Sequence, residues 1–139
     1  MTELIAMGFD YGQKRIGLAI GQNLTQTANP IGQVNVDASG AYWSEIQTYI
    51  TQWNPQVLVV GHPLNMDESR GKMAKAAERF AEKLRQRFLL PVELMDERLS
   101  TREAKERLTA LHGNKRWSKT ELNSMAAQVI LETYLNLVN

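Results

Sequence analysis

The stretch Leu4-Ile5-Ala6-Met7-Gly8-Phe9-Asp10-Tyr11-Gly12-Gln13-Lys14-Arg15-Ile16-Gly17-Leu18-Ala19-Ile20 decides how the rest of the chain reads. Two apolar runs, Leu4–Phe9 and Ile16–Ile20, are parted by a short polar link, which predicts a β-hairpin. Pro30–Val36 reads as a weaker third strand. Tyr42–Trp53 sets Trp43, Ile46, Ile50 and Trp53 on one helical stripe. Asn54-Pro55 ends that helix, because proline lacks the N–H and disfavours helix in the residue before it. Val57–Val60 is a continuous apolar run after a helix, the pattern of a strand buried on both faces. Ser69–Phe88 repeats Met73, Ala76, Ala77, Phe80, Ala81, Leu84 and Phe88 at steps of three and four, which predicts an amphipathic helix. Pro91–Met95 is a further strand. Ser100-Thr101-Arg102-Glu103 and Ser118-Lys119-Thr120-Glu121 read as capping boxes. They open helices to about Leu111 and about Leu137. The order β-β-β-α-β-α-β-α-α is that of an α/β domain with a mixed sheet.

A chain of 139 residues fits one domain, residues 1–139. At 43% hydrophobic and 22% charged, it is not a disordered chain. It has no cysteine, which excludes disulfides, zinc fingers, iron–sulfur clusters and a thiol nucleophile. Two histidines, His62 and His112, are too few for a His-rich metal site, so any metal is a hard, oxygen-bound one. No run approaches the roughly 18 apolar residues of a membrane span. Met1–Met7 lacks the basic and long apolar regions of a signal peptide. The expectation is a soluble, cytoplasmic protein with no membrane partner.

Net charge is only +1, but the cations cluster. Ser69–Phe88 holds seven (Arg70, Lys72, Lys75, Arg79, Lys83, Arg85, Arg87) against two acids, and Arg98–Lys119 holds seven more against Glu103 and Glu106. Such clusters attract phosphates; they also suit solvated helix faces. Carboxylates stand where two strands stop: Asp10 after the first, Asp96-Glu97 after the last. Ligands of α/β sheets gather outside the carboxyl ends of strands. Two acids brought together there repel unless a cation such as Mg²⁺ or Mn²⁺ lies between them. Asp10 as a turn former and Glu97 as a surface charge is the competing reading. Gly12 and Gly17 flank Lys14 and Arg15, giving a hairpin suited to holding a phosphate. Gly61–Asp67 is too rich in Gly, Pro, Asn and Asp to continue a strand and can line the same edge. His62, alone in that loop, reads as structural before it reads as a base. Glu121 is explained by its capping box, and Trp43, Trp53, Phe80 and Phe88 are read as core.

Four segments together resemble one family. Asp10-Tyr11-Gly12-Gln13-Lys14-Arg15-Ile16-Gly17-Leu18-Ala19 resembles the opening D-x-G-x-K-R-I-G-x-A of the YqgF (RuvX) family. Val60-Gly61-His62-Pro63-Leu64-Asn65-Met66-Asp67 is similar to its V-G-x-P-L-N-M-D, and Asp96-Glu97-Arg98-Leu99-Ser100-Thr101 to its D-E-R-L-S-T. Ala126-Ala127-Gln128-Val129-Ile130-Leu131 matches its A-A-x-x-I-L. The resemblance implies an RNase H-like fold, a five-stranded mixed sheet with helices on its faces. It implies a nuclease hydrolysing phosphodiester bonds, related to Holliday-junction resolvases, with a part in maturing the 5′ end of 16S ribosomal RNA.

The family's metal-binding acids map onto Asp10 and Glu97. Its third acid, in D-S-x-A-A-x-x-I-L, falls on Asn123, an amide that brings no charge. Glu121 lies roughly 200° around that helix and does not substitute. The expected site is therefore Asp10, Glu97 and Asn123 around Mg²⁺ or Mn²⁺. Lys14, Arg15, Asn65, Arg98, Ser100 and Thr101 are its substrate contacts. Its expected partners are pre-rRNA and ribosomal particles. The alternatives are a nucleic-acid-binding module with weak or no cleavage, and a resolvase acting on branched DNA. The first motif also looks like the phosphate loop of actin/Hsp70 ATPases, which are far longer and repeat the fold twice.

Overall fold

The computed structural model describes residues 3–65, 67, 69–97, 100–113 and 118–138. The elements, in chain order, are β1 (Ile5–Tyr11), β2 (Arg15–Gln22), β3 (Thr27–Asn35), α1 (Tyr42–Trp53), β4 (Val57–His62), α2 (Lys72–Phe88), β5 (Val92–Asp96), α3 (Ser100–His112) and α4 (Lys119–Leu137). The five strands form one mixed sheet in the order β3-β2-β1-β4-β5. β1 pairs antiparallel with β2, and β2 with β3, while β1, β4 and β5 run parallel. This is the architecture the sequence predicts. The carboxyl ends of β1, β4 and β5 therefore share one edge, and the β1–β2 hairpin turns there.

The alternation along β1 sends its residues to two different cores. Met7 and Phe9 join Leu58, Val60, Phe80, Leu84, Trp43 and Ile46 on the face covered by α1 and α2. Ala6 faces the other way, with Ala19, Ala28, Val57 and Val59, under Ala127, Ile130, Leu131 and Leu135 of α4. The sheet is lined with small residues on that face, so α4 lies close to the strands. α4 opens on the predicted capping box: Ser118 Oγ accepts from Glu121 N at 3.1 Å, and Ser118 N donates to Glu121 Oε1 at 3.1 Å. The box read at Ser100 falls on side chains outside the described residues, although α3 does begin at Ser100. α1 ends on Asn54 in the left-handed region (φ 49°), whose N–H bonds Ile50 O, directly before Pro55.

Four expectations change. Trp53 is not core: it is 37% exposed, because the last turn of α1 overhangs the far end of the sheet beside Ile5 and Gln22. α2 starts at Lys72, not Ser69, because Asp67 Oδ1 accepts from both Ser69 N and Ser69 Oγ and holds a turn there. Its buried line takes Ala74 in place of Met73, which is half-buried. β3 begins at Thr27, before Pro30, and this edge strand takes the proline where β2 and β3 shift register.

Candidate active site

Asp10 is the next-to-last residue of β1 and sits opposite Gly17 of β2. On its other side, one step past the Phe9–Val60 pair, lies Gly61 of β4. The acid thus has a glycine on either flank, and each glycine leaves a space that another group fills. A Cβ at Gly17 would stand 2.3 Å from the carbonyl oxygen of Asn123 and 3.3 Å from its Cβ, so α4 rests on that backbone. A Cβ at Gly61 would stand 2.7 Å from Cδ of Glu97. The Glu97 carboxyl lies over β4, and its backbone N–H bonds His62 O at 3.2 Å.

This cradle brings the side chains of Asp10 and Glu97 into hydrogen-bond contact. Burial pushes the Asp10 carboxyl up to about 6, and the bond from Glu97 opposes that rise. Two hydrogen-bonded carboxyls must share a proton, since two charged ones repel. Asp96, one residue earlier, is exposed, and His62 is its register partner on β4. Asn123 is half-buried, with Ala126, Ala127, Ile130 and Tyr134 of the same stripe buried below it. Its amide makes no hydrogen bond among the described residues, neither to a carboxylate nor to backbone as a core asparagine would. Gln33, opposite Gly17 on β3, continues the row Gly61–Asp10–Gly17, and its Oε1 is buried without a hydrogen-bond partner among the described residues. Sequence reading misses Gln33, because nothing local distinguishes a strand glutamine. The signal for the cradle was present in Gly17 and Gly61. Gly17 is not a turn residue lending the hairpin freedom; it lies inside β2 as a point of close approach.

Lys14 is exposed and Arg15 half-buried at the hairpin, on the same edge as Asp10. Asn65 is exposed and engaged locally: its Nδ2 donates to Ser69 Oγ at 2.9 Å and its N to Ser69 O at 3.0 Å. Arg98, and the side chains of Ser100 and Thr101, lie outside the described residues. His62 turns to the other face of the sheet, where its Nε2 lies 2.7 Å from Glu78 Oε2. Among the described residues no group of three or more His, Cys, Asp or Glu forms a metal-ligand set. Two acids meet here, and the backbone of Asn123 rests beside them on Gly17. That donor set fits a hard cation: two oxygens already held together, with a shared proton where the positive charge would go.

The RuvX family model, described as "Holliday junction resolvase", matches residues 4–137. The chain belongs to that family. It is 48% identical over 135 residues to a Legionella pneumophila protein named "Putative pre-16S rRNA nuclease", covering 97% of each chain. It is 45% identical over 131 residues to one of the same name from Nitrosococcus oceani, covering 94% of this chain and 86% of that one. In fold it is similar to Thermus thermophilus RuvC (TM-score 0.60, 11% identity, 97% of each chain). It is similarly close to the fowlpox virus resolvase solved with Holliday junction DNA (TM-score 0.59, 14% identity, 97% of this chain and 99% of that one). Among the described residues no helix is long and apolar enough to cross a membrane.

Proposed function

We propose that this protein is a divalent-metal-dependent endonuclease that cuts structured RNA during 5′-end maturation of 16S rRNA in the cytoplasm. The observation that carries this reading is the meeting of the Asp10 and Glu97 carboxyls between two glycines at the sheet edge. Asp10 and Glu97 hold Mg²⁺ or Mn²⁺, with Asn123 as a neutral third oxygen donor. A cation bound by these residues would supply Lewis-acid polarisation of the phosphate and a water of lowered pKa. The chain's own residues do the positioning. To hold the cation, Asp10 would have to give up the proton that it shares with Glu97. Lys14 and Arg15 on the hairpin, with Arg98 beside Glu97 in sequence, grip phosphates flanking the scissile one without reading its bases. Asn65, Ser100 and Thr101 are further contacts to that backbone.

Pre-rRNA in ribosomal particles is the partner this reading names. The description of the matched family favours a second substrate, branched DNA. The neutral Asn123 favours a second behaviour, binding with weak cleavage. One experiment separates these: incubate the wild type and Asp10→Asn with labelled 5′-extended 16S precursor, unrelated duplex RNA and a four-way DNA junction, with and without Mn²⁺. Mn²⁺-dependent cutting of the precursor by the wild type alone is the expected result. Retained cutting by Asp10→Asn overturns the site. Tight binding without cutting under any metal overturns the enzyme.

A further inference from the structure

We propose that Glu78, on α2 and outside the site, is a positioning residue for Glu97 that acts through the end of β4. His62 is the last residue of β4 and its backbone carbonyl accepts two N–H groups, from Leu64 at 2.9 Å and from Glu97 at 3.2 Å. The residue before it, Gly61, is the one over which the Glu97 carboxyl lies. Wherever the Gly61–His62 segment sits, Glu97 follows. On the opposite face of the sheet the His62 ring is fastened to Glu78, with Nε2 at 2.7 Å from Oε2. The same carboxylate takes Arg70 as a fork: Nε donates to Oε2 at 2.7 Å and Nη2 to Oε1. One side chain therefore ties together the end of β4, the approach to α2 and the helix itself.

The brace is charged. Arg70, with His62, holds the Glu78 carboxyl down at about 2. It is also sheltered, with side-chain exposures of 16% for His62 and 24% for Glu78, while Arg70 at 55% closes it from outside. The segment it anchors runs from Pro63 to Gly71 without helix or strand among its described residues. A displacement of the order of 1 Å at a reacting geometry costs about a hundredfold in rate.

The kinetic part of this proposal rests on the nuclease reading; the structural part does not. In metal-free protein, Glu78→Ala is expected to lower hydrogen-exchange protection of the Glu97 amide about tenfold while amides in β1 and α4 keep theirs. Mn²⁺ binding by calorimetry is expected to weaken about tenfold. RNA cleavage should lose kcat by a similar factor with KM within about twofold. Glu78→Gln, whose one amide oxygen can take the Oε2 place and accept from His62 Nε2 and Arg70 Nε while the Nη2 bond is lost, is expected to restore all three in part, to above the Glu78→Ala values. Wild-type Glu97 protection and Mn²⁺ affinity in folded Glu78→Ala overturn the proposal. If that variant does not fold, Arg70→Ala at its exposed position decides instead: selective loss at the Glu97 amide supports the brace, and unchanged protection overturns it. Asp10→Asn run in parallel separates the two claims. Wild-type cleavage and Mn²⁺ binding by Asp10→Asn would sink the site reading, yet leave the amide-exchange arm to judge the brace alone.

Discussion

Asp10 is a carboxyl placed where charge is unwelcome, and its titration states the consequence. Its folded value of about 6 lies above the ordinary 3.8, so the native state holds the proton more tightly than the unfolded chain does. The sign follows: this contribution to stability is complete below about pH 4, declines as pH rises toward 6, and is gone above it. The difference corresponds to roughly 2–3 kcal/mol. Asp10→Asn removes the charge, so its melting temperature should exceed wild type at pH 7.5 and match it near pH 4, with cleavage abolished. Metal must displace the same proton, so Mn²⁺ affinity should rise about tenfold per pH unit below 6 and level off above. Asn123 is the complementary test. Because its amide makes no hydrogen bond among the described residues, Asn123→Asp forfeits none. On the proposed reading it adds only a negative charge beside the two acids. The variant should bind Mn²⁺ more tightly, cut RNA faster and melt lower without metal. Added Mn²⁺ should recover that loss by mass action, about 2.7 kcal/mol at a hundred times Kd. Unchanged metal response and cleavage would remove position 123 from the site.

Among the elements, α4 is the one whose seat the site depends on. It rests on Gly17, where any Cβ meets the Asn123 carbonyl oxygen at 2.3 Å and its carbon at 2.7 Å. These are backbone atoms and cannot rotate away. Gly17→Ala should cost about 1–3 kcal/mol in urea unfolding as the helix is lifted. The same variant should lose Mn²⁺ affinity, because Asn123 moves with the helix. Equal stability would show that α4 can slide without consequence. The elements themselves were legible where periodicity is strong: the apolar hairpin runs, Val57–Val60, the α2 stripe and the Ser118 box all read directly. Trp53 did not, because helical spacing says which residues share a stripe but not where the sheet beneath it ends. The start of α2 was misread because Ser69 caps a turn made by Asp67, which local sequence does not distinguish from a helix cap. Strand ends pointed to Asp10 and to Asp96-Glu97, and the family motifs singled out Glu97 of that last pair. Nothing local in either segment says that they meet.

Across the molecule, charge sorts by pairing and not by count. The α3 cations are largely spent: Arg102 pairs with Glu106 at 3.3 Å, and Arg107 with Glu103 at 3.2 Å and with Glu132 of α4. Before and along α2, Arg70 and Arg85 are paired with Glu78 and Glu82, and Arg87 lies 4.5 Å over the Trp43 ring. Lys75, Arg79 and Lys83 are exposed, with no ion pair among the described residues, and they follow one another at steps of four along the outer face. That stripe is the surface suited to flanking phosphates. Reversing the charge at all three should weaken RNA binding without altering sequence preference. The slope of log affinity against log salt should fall by about 0.7–0.9 for each phosphate no longer neutralised. Equal low-salt affinity for wild type and triple variant would take α2 out of the footprint. The metal-dependent outcomes turn on the cation proposed at the sheet edge, and anomalous diffraction from a Mn²⁺-soaked crystal tests it most directly. The expected result is Mn²⁺ bound by oxygens of both Asp10 and Glu97, with Asn123 Oδ1 on the same side; Mn²⁺ bound elsewhere, or the two carboxyls still hydrogen-bonded to each other at saturating metal, would contradict it.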